Sequence, residues 1–133
     1  GHYPTDVLDQ ACRVLDALIF DIKCLDSARH KKATGVGSEL ILKNIGHVFE
    51  HFPELPVLIR TPVIPGFNDT EEDILGIREM IPRKANIRYE ALTYHRMGQP
   101  KYGYLGRRYE LEGVKADEAF MKRLNIMLKT YEQ

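Results

Sequence analysis

Four ionisable side chains stand where apolar stretches of the sequence end or are interrupted. Asp21 and Lys23, opposite charges with one residue between them, follow the apolar run of residues 17–20. Arg60 interrupts a second apolar run, and His95 follows a third. Ammonium and guanidinium groups bind carboxylates, whereas a carboxylate or an imidazole can hydrogen-bond hydroxyl groups and ring nitrogens. A site for a small polar ligand is one interpretation of these residues, and ion pairs that reach water are the other.

The elements that must position these residues follow from hydrophobic periodicity and turn signals. Strands are predicted over residues 17–23, 56–64 and 86–92, and helices over residues 5–15, 27–33, 39–52, 71–81 and 117–131. Ser38 and Thr70 are the predicted caps of the third and fourth helices, and residues 93–115 are predicted to form a loop. Strands that alternate with helices indicate parallel strands with right-handed crossovers. Because three strands cannot close a barrel, we predict one α/β domain over residues 1–133 that is part of a (β/α) barrel.

Alternation along the first predicted strand separates its apolar residues from its charged ones. Leu18, Phe20 and Ile22 share one face, so Asp21 and Lys23 belong to the other. In parallel α/β folds, ligands bind beyond the C-terminal ends of the strands. Asp21 and Lys23 are therefore predicted to point toward such a site.

The other two strands bring polar groups to the same end of the sheet. A guanidinium such as Arg60 is costly within an apolar strand unless a carboxylate or phosphate pairs with it. A salt bridge to Asp21 or Glu90 is the alternative to a ligand. His95 follows the third strand at the start of the loop, where the alternation no longer predicts which way a side chain points. A structural role is the alternative to a role in ligand binding. Since all three strands deliver polar groups to one end, a shared site is favoured over three coincidences.

Three further motifs favour structural roles. His47 and His51 have the spacing of a metal-binding pair, but they lie away from the apolar stripe of their helix and are predicted to be solvated. Residues 35–38, GVGS, predict a turn and a helix cap rather than an anion-binding loop. Residues 101–109 mix tyrosines with basic side chains, which predicts a packed loop, with a protein-contact surface as the second interpretation.

Composition excludes several classes of function. The chain has 19 basic and 19 acidic residues, a balance that gives no attraction to nucleic acid or to an anionic membrane surface, and no apolar run has the length of a membrane span. The N-terminal residues do not have the pattern of a signal peptide. Cys12 and Cys24 predict free thiols in a protein of the reducing cytoplasm. Because nothing like a first strand precedes the first helix, we expect the sequence to be a piece of a longer protein.

Five strings of residues occur in one order along the chain and carry a family resemblance. They are DIK at 21–23, HKKATG at 30–35, RTPVIPGFND at 60–69, YHRMGQPKYGYLG at 94–106 and YELEGVK at 109–115. Together they resemble the C-terminal half of the glycyl radical enzyme activating enzymes, the family typified by pyruvate formate-lyase activating enzyme. The resemblance covers nearly the whole chain and implies a partial (β/α) barrel with its ligands at the C-terminal strand ends.

The resemblance also implies cofactors, partners and site residues. Such oxidoreductases use a [4Fe–4S] cluster and S-adenosylmethionine to make a radical that abstracts hydrogen from a glycine of a partner enzyme. The implied partners are pyruvate formate-lyase or a related glycyl radical enzyme, and an electron donor such as flavodoxin or ferredoxin. Lys23 and His95 match family positions that contact S-adenosylmethionine. Asp21 matches a position near that ligand and a monovalent cation, and Arg60 matches a strand-end arginine of the same pocket.

Two motifs of the family are absent from this chain. The cluster motif C-x3-C-x2-C is missing, and the spacing of Cys12 and Cys24 does not replace it. The Gly-Gly-Glu stretch that holds the methionyl amino group is also missing. We therefore expect the chain to be the second half of an active parent, to be inactive alone, and to expose a sheet edge through which it can self-associate.

Three other functions remain open from the sequence. The first is a radical S-adenosylmethionine enzyme that acts on a small molecule. The second is a non-catalytic protein-interaction module with the same half-barrel, which would not bind S-adenosylmethionine even when the missing half is supplied. The third is an aldolase-type barrel that forms a Schiff base through Lys23.

Overall fold

The computed structural model describes residues 1–131 as helices packed on a small parallel sheet. The helices are α1 (Thr5–Cys12), α2 (Ser27–Thr34), α3 (Glu39–His51), α4 (Glu71–Met80), α5 (Gln99–Tyr104) and α6 (Glu118–Thr130). The strands are β1 (Leu18–Asp21), β2 (Val57–Val63) and β3 (Ile87–Thr93).

The sheet has the order β1-β2-β3, and both neighbouring pairs are parallel. Its register places Asp21 opposite Arg60, and Arg60 opposite Glu90. The predicted α/β class, with three parallel strands that alternate with helices, is confirmed. Because all three strands run in one direction, their C-terminal ends meet at a single edge.

Helices cover one face of this sheet and leave the other open. On the covered face, the strand side chains alternate into a core with the helices; fully buried members are Leu8, Ile22, Ile45, Ile59, Ile74, Ile77 and Leu124. Leu18, Phe20 and Ile22, which the alternation assigns to one face, are all buried. On the open face, Ile19 is 57% exposed. The sheet is thus amphipathic in the described residues, as expected for a strand set with helices on one side only.

Local sequence signals explain where several helices begin and end. The Asp26 carboxylate accepts a hydrogen bond from the Arg29 amide at the start of α2. The Thr70 hydroxyl accepts one from the Asp73 amide, so the predicted cap of α4 is confirmed. Each bond satisfies an amide that has no partner within the helix.

Ser38 does not cap α3, contrary to the sequence-based prediction. Its hydroxyl donates to the Leu25 carbonyl at 2.9 Å, and its backbone is already helical. The side chain therefore ties the start of α3 back to the segment after β1.

Several predicted boundaries also differ from the structure. The first strand ends at Asp21 rather than at residue 23, so Lys23 follows the strand. The first helix ends at Cys12 rather than at residue 15, and residues 93–115 contain α5 in place of an uninterrupted loop. Pro100 lies in the first turn of α5, where its missing amide hydrogen costs no hydrogen bond. Gly103 lowers the helix propensity of the segment, so propensity alone does not predict this helix.

His47 is less solvated than predicted. Its Nε2 lies 3.1 Å from Asp9 Oδ1 on α1, and its ring stacks on that of His51 at 4.1 Å between centroids. The hydrogen bond to His47, and next that to Arg13, lowers the pKa of Asp9. His51 is exposed, as predicted. His47 thus joins α3 to α1, and His51 stacks on it from the exposed side.

No helix within residues 1–131 combines the length and the hydropathy needed to cross a bilayer.

Alanine substitution of two isoleucines on opposite faces of the sheet tests whether only one face is buried. We expect Ile59→Ala to lower the free energy of unfolding by about 2–5 kcal/mol, because Ile59 is fully buried under the helices. Ile19→Ala should cost about 0.5 kcal/mol or less, because Ile19 is largely exposed. Urea unfolding of the 133-residue chain measures both values. Equal losses in the two variants would contradict the open face.

Candidate functional site

The structure brings Asp21, Lys23 and Arg60 together at the C-terminal edge of the sheet. Arg60 donates to Asp21 Oδ1 from Nε at 3.1 Å and from Nη2 at 3.0 Å. Lys23 Nζ lies 3.6 Å from Asp21 Oδ2. The salt bridge between Arg60 and Asp21, which the sequence left as an alternative to a ligand, is thus present. With two cations around one carboxylate, the trio carries a net charge of +1.

Stability alone is a weak reason for this charged trio. The three side chains are each about 36–37% exposed. Ion pairs with this much access to water contribute about 0–1 kcal/mol. The excess positive charge and the accessible groups are better suited to binding an anionic group than to holding two strands together.

Two buried polar side chains hold the backbone on which Lys23 stands. Asn68 is fully buried, accepts from the Ile64 amide at 2.7 Å, and donates to the carbonyls of Lys23 at 2.7 Å and Pro62 at 2.9 Å. Thr61 is also fully buried and donates to the Ile22 carbonyl at 2.7 Å. These bonds extend the β1–β2 contact past the end of β1.

Sequence reasoning assigned Asn68 only to turn chemistry and missed this support. The signal was its position two residues after Gly66, in a turn that returns toward the strand ends. Its partner at Lys23 lies 45 residues away in sequence, which no local pattern indicates.

The trio forms one wall of a cavity of about 500 Å³, here named the strand-end cavity. The remaining lining comes from residues 1–3 and from Ile19, Phe20, His30, Thr34, Val36 and Ile41. This volume is within the range of small-molecule sites, about 300–1,000 Å³. The cavity therefore has the size and the charge for a small molecule with an anionic group.

His95 is not part of this cavity in the structure. It is exposed, two residues beyond the end of β3, and it is absent from the cavity lining. The predicted grouping is therefore seen for Asp21, Lys23 and Arg60, and the role of His95 remains a prediction.

A second cavity, here named the tyrosine cavity, lies on the other side of Lys23. It has a volume of about 800 Å³, and its lining includes Lys23, Phe67, Tyr102, Arg108 and Tyr109. Tyr109 packs edge-on against Tyr102, with 4.9 Å between ring centroids, and its hydroxyl contacts that of Tyr94. Burial raises the pKa of Tyr94 to about 12, and the contact with Tyr109 adds to the shift.

The predicted packed loop is therefore correct for only part of residues 101–109. Tyr102 and Tyr109 pack together, but Tyr104 is 86% exposed, and a protein-contact surface there remains a prediction.

Both cysteines are free thiols and are buried, as predicted. Burial raises the pKa of Cys12, and the charge of Asp9 adds to the shift. Within residues 1–131, no three histidine, cysteine, aspartate or glutamate side chains are grouped so as to hold a metal ion. The residues described here thus do not fit an iron–sulfur cluster.

Comparison with known proteins gives several long matches. The chain is 97% identical over all 133 residues to the "(2S)-3-sulfopropanediol sulfolyase activating enzyme" of Bilophila wadsworthia (strain 3_1_6), covering 44% of that protein. It is 42% identical over 128 residues to the "isethionate sulfite-lyase activating enzyme" of Nitratidesulfovibrio vulgaris, covering 96% of this chain and 41% of that one. A "choline trimethylamine-lyase activating enzyme" of Oleidesulfovibrio alaskensis is 34% identical over 137 residues, with 99% and 44% covered. No family model matches the chain.

One solved structure also has a similar fold. It is a domain of pyruvate-formate lyase-activating enzyme from Bacteroides vulgatus, with a TM-score of 0.71 and 26% identity over 96% of this chain and 70% of that one. The chain spans less than half of the length of the curated relatives it matches.

Removal of the Asn68 side chain tests the support beneath Lys23. We expect Asn68→Ala to lower the free energy of unfolding by about 2–4 kcal/mol, because three backbone groups lose the hydrogen-bond partner that this buried side chain provides. The control is Asn86→Ala, which removes two bonds from a half-buried side chain at the opposite end of the sheet. Urea unfolding should show the smaller loss for Asn86→Ala. If Asn68→Ala has the smaller loss instead, Asn68 does not support the site.

Proposed function

We propose that this chain is the C-terminal half of an activating enzyme of a glycyl radical enzyme. The observation that carries the proposal is 97% identity along the entire chain to an enzyme of this kind that is more than twice as long. In the longer protein, the half-barrel described here would supply one wall of the site that generates the glycyl radical.

We assign the strand-end cavity to S-adenosylmethionine. When bound beside a reduced cluster, this cofactor supplies the radical that abstracts the glycine hydrogen. The charges of the cavity suit it, since Lys23 and Arg60 can bind its carboxylate. Asp21 orients the Arg60 guanidinium, which donates two hydrogen bonds to one of its carboxylate oxygens. A single carboxylate does not neutralise both Arg60 and Lys23. His95 is proposed as a further contact with the cofactor.

The cluster is assigned to a part of the longer protein outside this chain. Cys12 and Cys24 are two buried thiols, and the described residues offer no metal-binding group. We therefore propose that this chain forms no radical by itself. In the longer protein, a flavodoxin or ferredoxin would reduce the cluster. Free thiols are consistent with action in the reducing cytoplasm.

The proposed partner is a (2S)-3-sulfopropanediol sulfolyase. The supporting relative is 97% identical, whereas the structurally similar domain of a pyruvate-formate lyase-activating enzyme is 26% identical. Pyruvate formate-lyase is therefore the second candidate. The tyrosine cavity, which shares Lys23 with the strand-end cavity, is the proposed place for the partner's glycine-bearing segment, because its aromatic and basic walls can contact a polypeptide.

Cofactor binding can be tested in a full-length hybrid, the Bilophila wadsworthia relative with this chain in place of its matching segment. We expect Lys23→Ala and Arg60→Ala each to weaken S-adenosylmethionine binding about 10- to 150-fold, since each removes a charged hydrogen bond. Lys84→Ala, an exposed lysine outside the strand-end cavity, is the control. Isothermal titration calorimetry measures the affinities. Binding unchanged in both site variants would overturn the assignment of the strand-end cavity to the cofactor, whereas no binding to the unmodified hybrid would favour the non-catalytic interaction module.

The partner can be tested by electron paramagnetic resonance of the glycyl radical. The reduced hybrid should generate that signal on (2S)-3-sulfopropanediol sulfolyase faster than on isethionate sulfite-lyase or pyruvate formate-lyase. The 133-residue chain alone should give no signal with any of them. A signal from the chain alone would contradict the assignment of the cluster to another segment, and a preference for pyruvate formate-lyase would reverse the choice of partner.

A further inference from the structure

His30 on α2 is a buried side chain of the strand-end cavity that the proposed function leaves without a role. Only 3% of the residue is exposed, and it lines the cavity with Asp21, Lys23 and Arg60. Its Nδ1 lies 2.7 Å from the Val36 carbonyl oxygen. Because a carbonyl oxygen can only accept, Nδ1 carries the proton and donates it to Val36.

The turn after α2 is built around this ring. Gly35 has φ 87°, in the left-handed region that a side chain disfavours, and it turns the chain so that the Val36 carbonyl comes back to the histidine. The Thr34 hydroxyl lies 3.0 Å from Nδ1 and 2.9 Å from the His30 carbonyl. The string HKKATG thus contains the imidazole, at His30, and two residues that help to fix it, Thr34 and Gly35.

The other ring nitrogen, Nε2, is free to accept a hydrogen bond from a ligand. It has no hydrogen bond within the described residues. Among the described residues, the polar side-chain atoms that are both closed off from solvent and without a partner are Arg29 Nε and Tyr89 Oη. His30 Nε2 is not one of them. In this tautomer Nε2 is an acceptor. The buried ring therefore presents an oriented acceptor at the edge of the cavity.

An acceptor complements the rest of the charged wall. Lys23 and Arg60 can only donate, and both carboxylate oxygens of Asp21 already face these two cations. We propose that His30 is a ligand-binding residue whose Nε2 accepts a hydrogen bond from an O–H or N–H group of the nucleoside of S-adenosylmethionine. This inference rests on the proposed function of the cavity.

Two substitutions separate ligand binding from a structural role. His30→Asn keeps an N–H donor at the position of Nδ1, toward Val36, but lacks the acceptor at Nε2. His30→Gln can place its amide oxygen near the position of Nε2 but gives up the bond to Val36. We expect His30→Asn to weaken binding of S-adenosylhomocysteine to the full-length hybrid about 3- to 10-fold, and His30→Gln to weaken it less. A purely structural histidine predicts the reverse order.

Calorimetry on the hybrid gives these affinities without any turnover, and thermal unfolding reports the fold of each variant. Lys23→Ala, measured alongside, separates the two proposals. If Lys23→Ala weakens binding and His30→Asn does not, the role of His30 is overturned and the cavity assignment is retained. If neither variant weakens binding, the cavity assignment itself is overturned.

Analogues identify the donor group on the ligand. The 2′-deoxy, 3′-deoxy and N6-dimethyl forms of S-adenosylhomocysteine each lack one hydrogen-bond donor. The wild-type hybrid should bind one of these analogues about 3- to 10-fold more weakly than S-adenosylhomocysteine. The His30→Asn hybrid should bind that analogue and S-adenosylhomocysteine with equal affinity. If His30→Asn shows the full wild-type preference against all three analogues, His30 does not contact the nucleoside.

Discussion

The parallel register of β1 and β2 places Asp21 opposite Arg60, and the candidate site depends on this constraint. A shift of β1 by one residue against β2 would turn Asp21 into the core and expose Phe20, because side chains alternate between faces with period two. The buried apolar face therefore fixes the register, and the charged groups follow from it. The ion pair between Asp21 and Arg60 is a consequence of this register. Because it is partly exposed, it contributes little to stabilising the register.

Neutral hydrogen bonds extend this constraint beyond the last residue of β1. Asn68 and Thr61 bind the carbonyls of Lys23 and Ile22, so the backbone between the strand and α2 is held from β2 and from the turn that follows it. Both side chains are fully buried, where a hydrogen bond that lacks its partner is costly. The support of the site is therefore buried and neutral, and its binding groups are accessible and charged.

Much of the sheet and three of its polar residues could be predicted from the sequence, because those predictions use period-two alternation and one rule of parallel sheets. Asp21, Lys23 and Arg60 needed no knowledge of distant contacts. Asn68 and His30 could not be predicted in the same way, since their roles depend on the Lys23 and Val36 carbonyls and on where turns return. The prediction that Ser38 caps α3 is wrong for the same reason. The partner of its hydroxyl is the Leu25 carbonyl, 13 residues away, which no local pattern indicates.

The division between buried support and accessible charge has a consequence for the chemistry of the cavity. Donors come from the strand ends at Lys23 and Arg60, whereas the oriented acceptor comes from α2 at His30, which the Val36 carbonyl fixes independently of the sheet. On the proposed assignments, a ligand that meets both carries an anionic group and a neutral donor. Inorganic anions satisfy only the first requirement. The proposed site therefore favours a molecule that combines an acid group with a hydroxyl or amino group.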